Sequence, residues 1–375
     1  MNEASDQSLA RLAWERLRRD RTAVAGMVVI ALAVCVALFG RWVRPDSSPW
    51  ANEQVPGIRD RAPGAEARLL HLPTAAGGGV LPVHALQVEG NELVVVEDNG
   101  HNDLVPGRTH RIALHLFPDH AQGASEPWAS HLERRRFVLG TDNLGRDVLS
   151  RLMAGTAISL GVGLVAVLIS LVIGIPLGAL AGYFRAEAPG SRLLGRRFRW
   201  PVDDAVMWLV NVIWSIPTLL LVIAITLALG KGFVQVFVAV GLTMWVEVAR
   251  LVRGEVVRVR ALEYVEAARA LGYGHARIIW RHVLPNVMGP VIVVSAANFA
   301  SAILMEAGLS FLGIGAQPPM VSWGGMIRSY YPYITTDLWH LALLPGVCIM
   351  VLTLAFMLVG NGLRDALDTR SITVR

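Results

Sequence analysis

Residues 263–285 read EYVEAARALGYGHARIIWRHVLP, a basic stretch set between two long apolar runs. Its pattern is two short helical pieces broken at Gly272. Ala267, Ala268, Ala270 and Leu271 give the first piece a small, close-packing surface, flanked by Glu263 and Glu266. A surface of that kind suits insertion into a groove on another protein rather than burial in lipid. The stretch reads as a docking loop held by membrane helices.

Composition points the same way. Of the 375 residues, 54% are hydrophobic and 17% charged, too apolar for an ordinary soluble domain. The net charge of +5 could signal nucleic acid, but the basic residues are interleaved with apolar runs instead of forming a soluble basic face. The excess of positive charge in cytoplasmic loops explains them better, and no nucleic-acid partner is expected. Cys35 and Cys348 both fall in apolar runs, which disfavours a disulfide framework or a Cys-based metal site.

A bilayer crossing needs about 20 mostly apolar residues. Six stretches qualify, near 22–43, 157–184, 205–230, 233–249, 287–313 and 338–360. Arg11, Arg16, Arg18, Arg19 and Arg21 precede the first and hold residues 1–21 in the cytoplasm. A signal peptide is the rival reading there, but no small-x-small cleavage site follows, and Arg41 with Trp42 ends the run like an interface anchor. Arg185, Arg192, Arg196, Arg197 and Arg199 mark the next loop as cytoplasmic. The loop at 250–285 carries seven arginines, and Arg364, Arg370 and Arg375 lie toward the tail, 369–375. Lys231 is the only charge between the third and fourth spans, as expected outside. Both termini are therefore expected inside.

Residues 44–136 do not fit a helical bundle and fall on the outer side. ALQVEGNELVVVEDNG (85–100) and THRIALHLFPDH (109–120) alternate and carry Gly-Asn and Asn-Gly turn signals. They predict a small β-rich unit near 79–117. Seven of the ten histidines lie in this insert: His71, His84, His101, His110, His115, His120 and His131. Their spacing matches no compact ligand motif, so solvent-facing histidines are favoured over a metal site. The six spans carry their own insertion signals, and excising 51–134 is expected to leave them in the membrane.

Before the second span comes GTDNLGRDVLSR, residues 140–151. Gly140, Thr141, Asp142, Gly145, Arg146 and Asp147 read as a hydrogen-bonded elbow at the outer interface, with Asp142 placed to cap the helix that follows. Within the spans, Glu306 sits toward the outer end of the fifth, either as a pathway residue or as an anchor bonded near Ser310 or Gln317. Glu247 is expected to pair with Arg250 or Arg253. Pro176 and Pro217 are expected to interrupt their helices, lining a pathway or acting as hinges. Gly161, Gly163, Gly174, Gly178 and Gly182 permit close helix contact. No Gly-Lys-Ser or Gly-Lys-Thr phosphate loop, no Gly-x-Ser-x-Gly elbow and no His-Glu-x-x-His occurs.

These motifs resemble a known family. Glu266-Ala267-Ala268, Gly272 and Leu284-Pro285 stand at the spacing of the EAA loop of ABC importer membrane subunits, with His282 where that pattern has an aliphatic residue. Residues 140–151 resemble the GTDxxGRDxxSR signature of the C-type membrane subunits of dipeptide, oligopeptide and nickel importers. AGLSFLGIG (307–315), QPP (317–319), SWG (322–324) and GLRDALD (362–368) continue the resemblance, which covers roughly 137–368. It implies an all-α polytopic membrane protein of six spans, the type I ABC importer permease fold, with the β-rich insert between helices 1 and 2. It implies a bacterial inner-membrane permease subunit for peptides or a related solute, nickel included. The implied partners are a homologous second permease in a heterodimer, two cytoplasmic ATPase subunits, an extracytoplasmic solute-binding protein and membrane lipid. Glu266, Ala267, Ala268, Gly272, Leu284 and Pro285 would couple to the ATPases. ATP and Mg would be bound by those subunits, with no cofactor on this chain. An ion-gradient transporter would need charged groups at the span centres and inverted repeats, which are not evident. A membrane sensor would not need six spans.

Overall fold

The computed structural model describes residues 9–99, 107–119, 126–185, 202–230 and 232–367. His101, His120, Arg192, Arg196, Arg197, Arg199, Lys231, Arg370 and Arg375 lie outside the described residues.

A short helix, α1 (Leu9–Arg19), leads into the apolar α2 (Arg21–Val43). Asp20 caps α2, its side chain accepting from the Thr22 N–H at 2.9 Å. Five strands follow: β1 (Ala65–His71), β2 (Val80–Glu89), β3 (Glu92–Glu97), β4 (Thr109–Ala113) and β5 (Leu132–Phe137). They form one antiparallel sheet in the order β4-β3-β2-β1-β5. The Gly-Asn signal is the β2–β3 turn, closed by the Glu89–Glu92 pair. Leu70, Val83, Leu93, Val95, Ile112 and Phe117 make one core of this unit. Two of the histidines each face a glutamate: His71 lies 2.9 Å from Glu133 and His110 lies 3.3 Å from Glu97. Among the described residues no metal-ligating cluster forms.

The bundle resumes with α3 (Val148–Tyr183), α4 (Val202–Trp214), α5 (Thr218–Leu229) and α6 (Phe233–Val259). Then come α7 (Glu263–Ala270), the single turn α8 (His275–Ile278), a π-turn (Ile279–Val283), α9 (Leu284–Phe311), α10 (Trp323–Tyr330) and α11 (His340–Leu367). Among the described residues, five helical stretches are long and apolar enough to cross a membrane: α2, α3, α6, the run from α8 through α9, and α11.

The third expected span, 205–230, is not straight. It is the pair α4 and α5, bent by 93° at a break just before Pro217. Proline lacks the N–H of the helical ladder and disfavours helical geometry at the residue before it, here Ile216. Pro176, by contrast, lies inside an unbroken α3, so it does not interrupt its helix as expected. Glu247 also departs from expectation: Arg253 pairs with Asp203 of α4 at 2.8 Å, and Arg250 lies over the Trp214 ring at 3.7 Å.

The centre of the bundle is the parallel pair α3 and α6. Gly174, Gly178 and Gly182 recur every four residues and so share one face of α3. A Cβ on Gly174 would stand 2.8 Å from the Trp245 carbonyl, and one on Gly182 would stand 2.7 Å from that of Arg253. The two backbones meet because no side chain lies between them. Both helices begin at the sheet end of the molecule and end against α7 and α8.

Candidate functional site

At the sheet end, the 140–151 motif folds into a buried elbow centred on Asp142, which has no exposed surface. Asp142 Oδ1 accepts the N–H groups of Leu144 and Arg146, each at 2.9 Å. Its Oδ2 accepts Arg146 Nε at 2.7 Å and the Tyr330 hydroxyl at 2.8 Å. Asp142 is thus the centre of the turn and not the helix cap. Asp147 caps α3 instead, accepting the Ser150 N–H at 2.9 Å. A short acidic side chain satisfies the backbone two residues on more readily than a helix begun further along. Burial pushes the Asp147 carboxyl and the Tyr330 phenol above their ordinary values.

The elbow also draws in the chain after α2. Thr141 Oγ1 accepts the Arg61 N–H at 3.0 Å and donates to the Ile58 carbonyl. Arg151 Nη1 donates to Asn52 Oδ1 at 2.7 Å, and Ser150 Oγ accepts the Asp46 N–H at 3.0 Å. Gly145, at φ +73°, lets the Val55 carbonyl approach where a side chain would collide with it. Gly140 adjoins the Arg61 carbonyl in the same way. Residues 46–61 are therefore part of the bundle's cap as well as the stem of the sheet.

The 307–330 segment closes the elbow from the other side. Trp323 Nε1 donates to the Leu152 carbonyl at 2.9 Å, seated on Gly155, and Tyr330 reaches Asp142. Glu306, 1% exposed, accepts a hydrogen bond from Ser310 Oγ, which in turn accepts the Ala316 N–H at 3.2 Å. Ser310 is one of the two anchors expected for it. Gln317, the other, donates instead to the Gly313 and Gly315 carbonyls, at 3.1 Å each.

At the opposite end, α7 and α8 form an exposed knee. Val265 and Ala268 of α7 are buried with Ile278, Ile279, Val283 and Leu284 against Val252 and Val256 of α6 and Ala179 and Tyr183 of α3. Glu263, Glu266, Ala267, Ala270 and Leu271 stay exposed, Leu271 at 72%. The expected docking surface is thus divided: Ala268 and Leu284 pack inward, while Glu266, Ala267, Gly272 and Pro285 remain at the surface. One helix cannot offer adjacent alanines to the same side, since they lie 100° apart around its axis.

Gly272 ends α7 at φ +75°. Its N–H donates to the Arg269 carbonyl at 2.9 Å and that of Tyr273 to the Ala268 carbonyl at 3.2 Å, the paired bonds of a Schellman cap. Polar ties then fix the knee to three long helices. Tyr264 Oη donates to the His282 carbonyl at 3.2 Å, and Asn286 of α9 donates to Tyr264 Oη at 3.0 Å. Tyr183 Oη and His275 Nδ1 are 3.1 Å apart, joining the end of α3 to α8. Arg260 donates to the Tyr183 carbonyl at 2.9 Å. His282 stacks on Tyr273 at 5.9 Å, which gives this departure from the aliphatic pattern its own partner. Sequence reading missed Tyr183, Tyr264 and Asn286, because pairs so far apart in the chain carry no local signal.

Residues 174–373 match the family model described as binding-protein-dependent transport system inner membrane component. The chain belongs to this family. Residues 8–63 match the N-terminal TM domain of oligopeptide transport permease C. Over 235 residues the chain is 42% identical to the di/tripeptide transport system permease of Pseudomonas aeruginosa, covering 63% of this chain and 73% of that one. It is 39% identical to the glutathione transport system permease of Pectobacterium atrosepticum (62% and 72% covered) and 36% identical to the oligopeptide transport system permease of Bacillus subtilis (62% and 71%). Among solved structures, a chain of the inward-facing MetNI methionine ABC transporter aligns at 21% identity and TM-score 0.46, over 59% of this chain and 96% of that one. The protein is a multi-pass inner-membrane permease subunit of an ABC importer. It is not itself catalytic, and ATP hydrolysis belongs to a separate subunit of the transport system.

Proposed function

We propose that this chain forms half of a translocation pathway for peptides and pairs with a homologous second permease. Two cytoplasmic ATPases bind ATP and Mg, and this chain binds no cofactor. The knee is the contact with one ATPase, through Glu266, Ala267 and the exposed face up to Leu271. Gly272 sets the angle of the knee, while Ala268 and Leu284 seat it on the bundle, with Pro285 opening α9. The arginine distribution argues for both termini in the cytoplasm and for residues 44–136 outside. On that side the loaded solute-binding protein docks, with the segment 317–333 among its contacts. Nickel is the second solute class, carried over from the sequence resemblance alone.

The observation that carries this reading is the exposed acidic and apolar face of α7, fixed to α3, α6 and α9 by Tyr183, Tyr264 and Asn286. A push on α7 therefore reaches three long helices at once. Alternation follows if ATP and the loaded binding protein both favour the outward-facing state.

The test is purification of the tagged chain from its native host in mild detergent, with mass spectrometry of what accompanies it. Recovery of a second permease, ATPases and a solute-binding protein that retains peptides is the expected result. A chain that purifies alone and moves solute in liposomes without ATP would overturn the reading.

A further inference from the structure

The end of α2 next to the sheet carries two arginines that neither the elbow nor the knee uses. Val36, Ala37, Gly40, Arg41 and Arg44 share one side of that helix end and face Met153, Ala154 and Ala157 of α3. Between the helices lies an open cleft of about 340 Å³. Its lining is mostly apolar and includes Arg41, Arg44, Pro49 and Trp50.

Among the described residues neither cation forms an ion pair. Arg41 is exposed and has no ion pair among the described residues. Arg44 Nη2 donates to the Ser48 carbonyl at 2.5 Å, but its Nε is buried without an acceptor. Asp46 is close in sequence, yet its oxygens take the Ser48 N–H at 2.8 Å and the Glu53 N–H at 3.1 Å, and it forms no ion pair with Arg44. Burial holds the Arg44 guanidinium below its ordinary value; Asp46 opposes the shift and the charge of Arg41 adds to it. Two like charges in the lining of a mostly apolar slot are relieved by an anion that brings hydrocarbon with it. Phe39, Trp42 and Val43 are exposed on the same helix end, Trp42 at 78%, as befits a helix facing lipid at headgroup depth.

We propose that this cleft is a binding site for one anionic phospholipid. Its phosphodiester sits between Arg41 and Arg44, and an acyl chain lies against Val36, Ala37, Met153 and Ala157. A helix from a second permease is the competing occupant. It would have to bring a carboxylate into an apolar interface, whereas a lipid supplies both parts at that depth. The site depends on membrane insertion alone and not on the transported solute, so it stands or falls separately from the proposed function.

The test is native mass spectrometry of the full chain, purified in its complex and offered equal amounts of phosphatidylglycerol and phosphatidylcholine. The wild type is expected to retain one phosphatidylglycerol in preference. The double variant Arg41→Ala with Arg44→Ala should lower that preference roughly thirtyfold, the effect of two cations at a membrane surface. The lysine double variant should keep most of it, which separates charge from misfolding. Ala157→Trp fills the slot with both charges intact and should cut retention of either lipid. Equal retention of the two lipids by the wild type would overturn the site, as would an unchanged preference in the alanine variant. So would loss of the second permease from that variant with lipid retention unaltered, which would assign the cleft to the subunit interface.

Discussion

The elbow and the knee are the two most recognisable motifs of this chain, and the structure treats them in opposite ways. In the elbow the Asp142 carboxylate is met from within: Leu144 and Arg146 donate to it from the turn, and Tyr330 from α10. In the knee, Glu266, Ala267 and Leu271 project into open space from a base that is itself tightly tied. A motif whose polar groups are consumed at home is a joint. A motif that leaves charge and apolar surface unmet on a rigid base is an interface awaiting its partner.

The contrast predicts a separation of stability from function. Asp142→Ala should have the largest effect on stability, about 3–5 kcal/mol, because it strands Arg146 and Tyr330 in a buried site. Thermal unfolding of the purified chain in detergent measures it, and an unchanged midpoint would mean the elbow is not closed. Tyr330→Phe removes one hydrogen bond to the same carboxylate and should cost about 1.5–3 kcal/mol, read in the same melt. Gly272→Val forces a branched residue to positive φ and should cost about 1–3 kcal/mol locally. Its membrane level should persist while solute-stimulated ATPase activity of the complex falls, and full stimulation would separate the knee from coupling. Glu266→Lys should change stability by less than about 0.5 kcal/mol, as exposed substitutions do. Yet it should lower stimulated ATPase activity about tenfold, as loss of an interface hot spot does. If Glu266→Lys instead destabilised the chain as Asp142→Ala does, the distinction between joint and interface would fail.

The insert blurs the same boundary. Its strands β2, β3 and β4 were legible from alternation and the Gly-Asn turn, because a sheet with one buried face needs that period, whereas β1 and β5 lie outside the 79–117 stretch those signals marked. Its stem was not, since Asn52, Ile58 and Arg61 bond to Arg151 and Thr141 across 80 or more positions. Excising 51–134 would therefore cut the contacts that hold the elbow, even if the spans still insert.

Sequence alone determined the number of apolar stretches, the break at Gly272, the β-rich insert and the family. Each of these depends on local composition, on turn chemistry or on ordered short motifs. Tertiary structure decided which alanine of the pair at 267 and 268 is offered outward, that Asp147 and not Asp142 caps α3, and that the third span bends through 93°. It also seated Glu306 on Ser310 and fixed the ends of α3, α6 and α9 to one knee. These outcomes turn on which groups meet in space, whether near or far along the chain, and side-chain burial is set by that meeting, not by the spacing of residues along the chain.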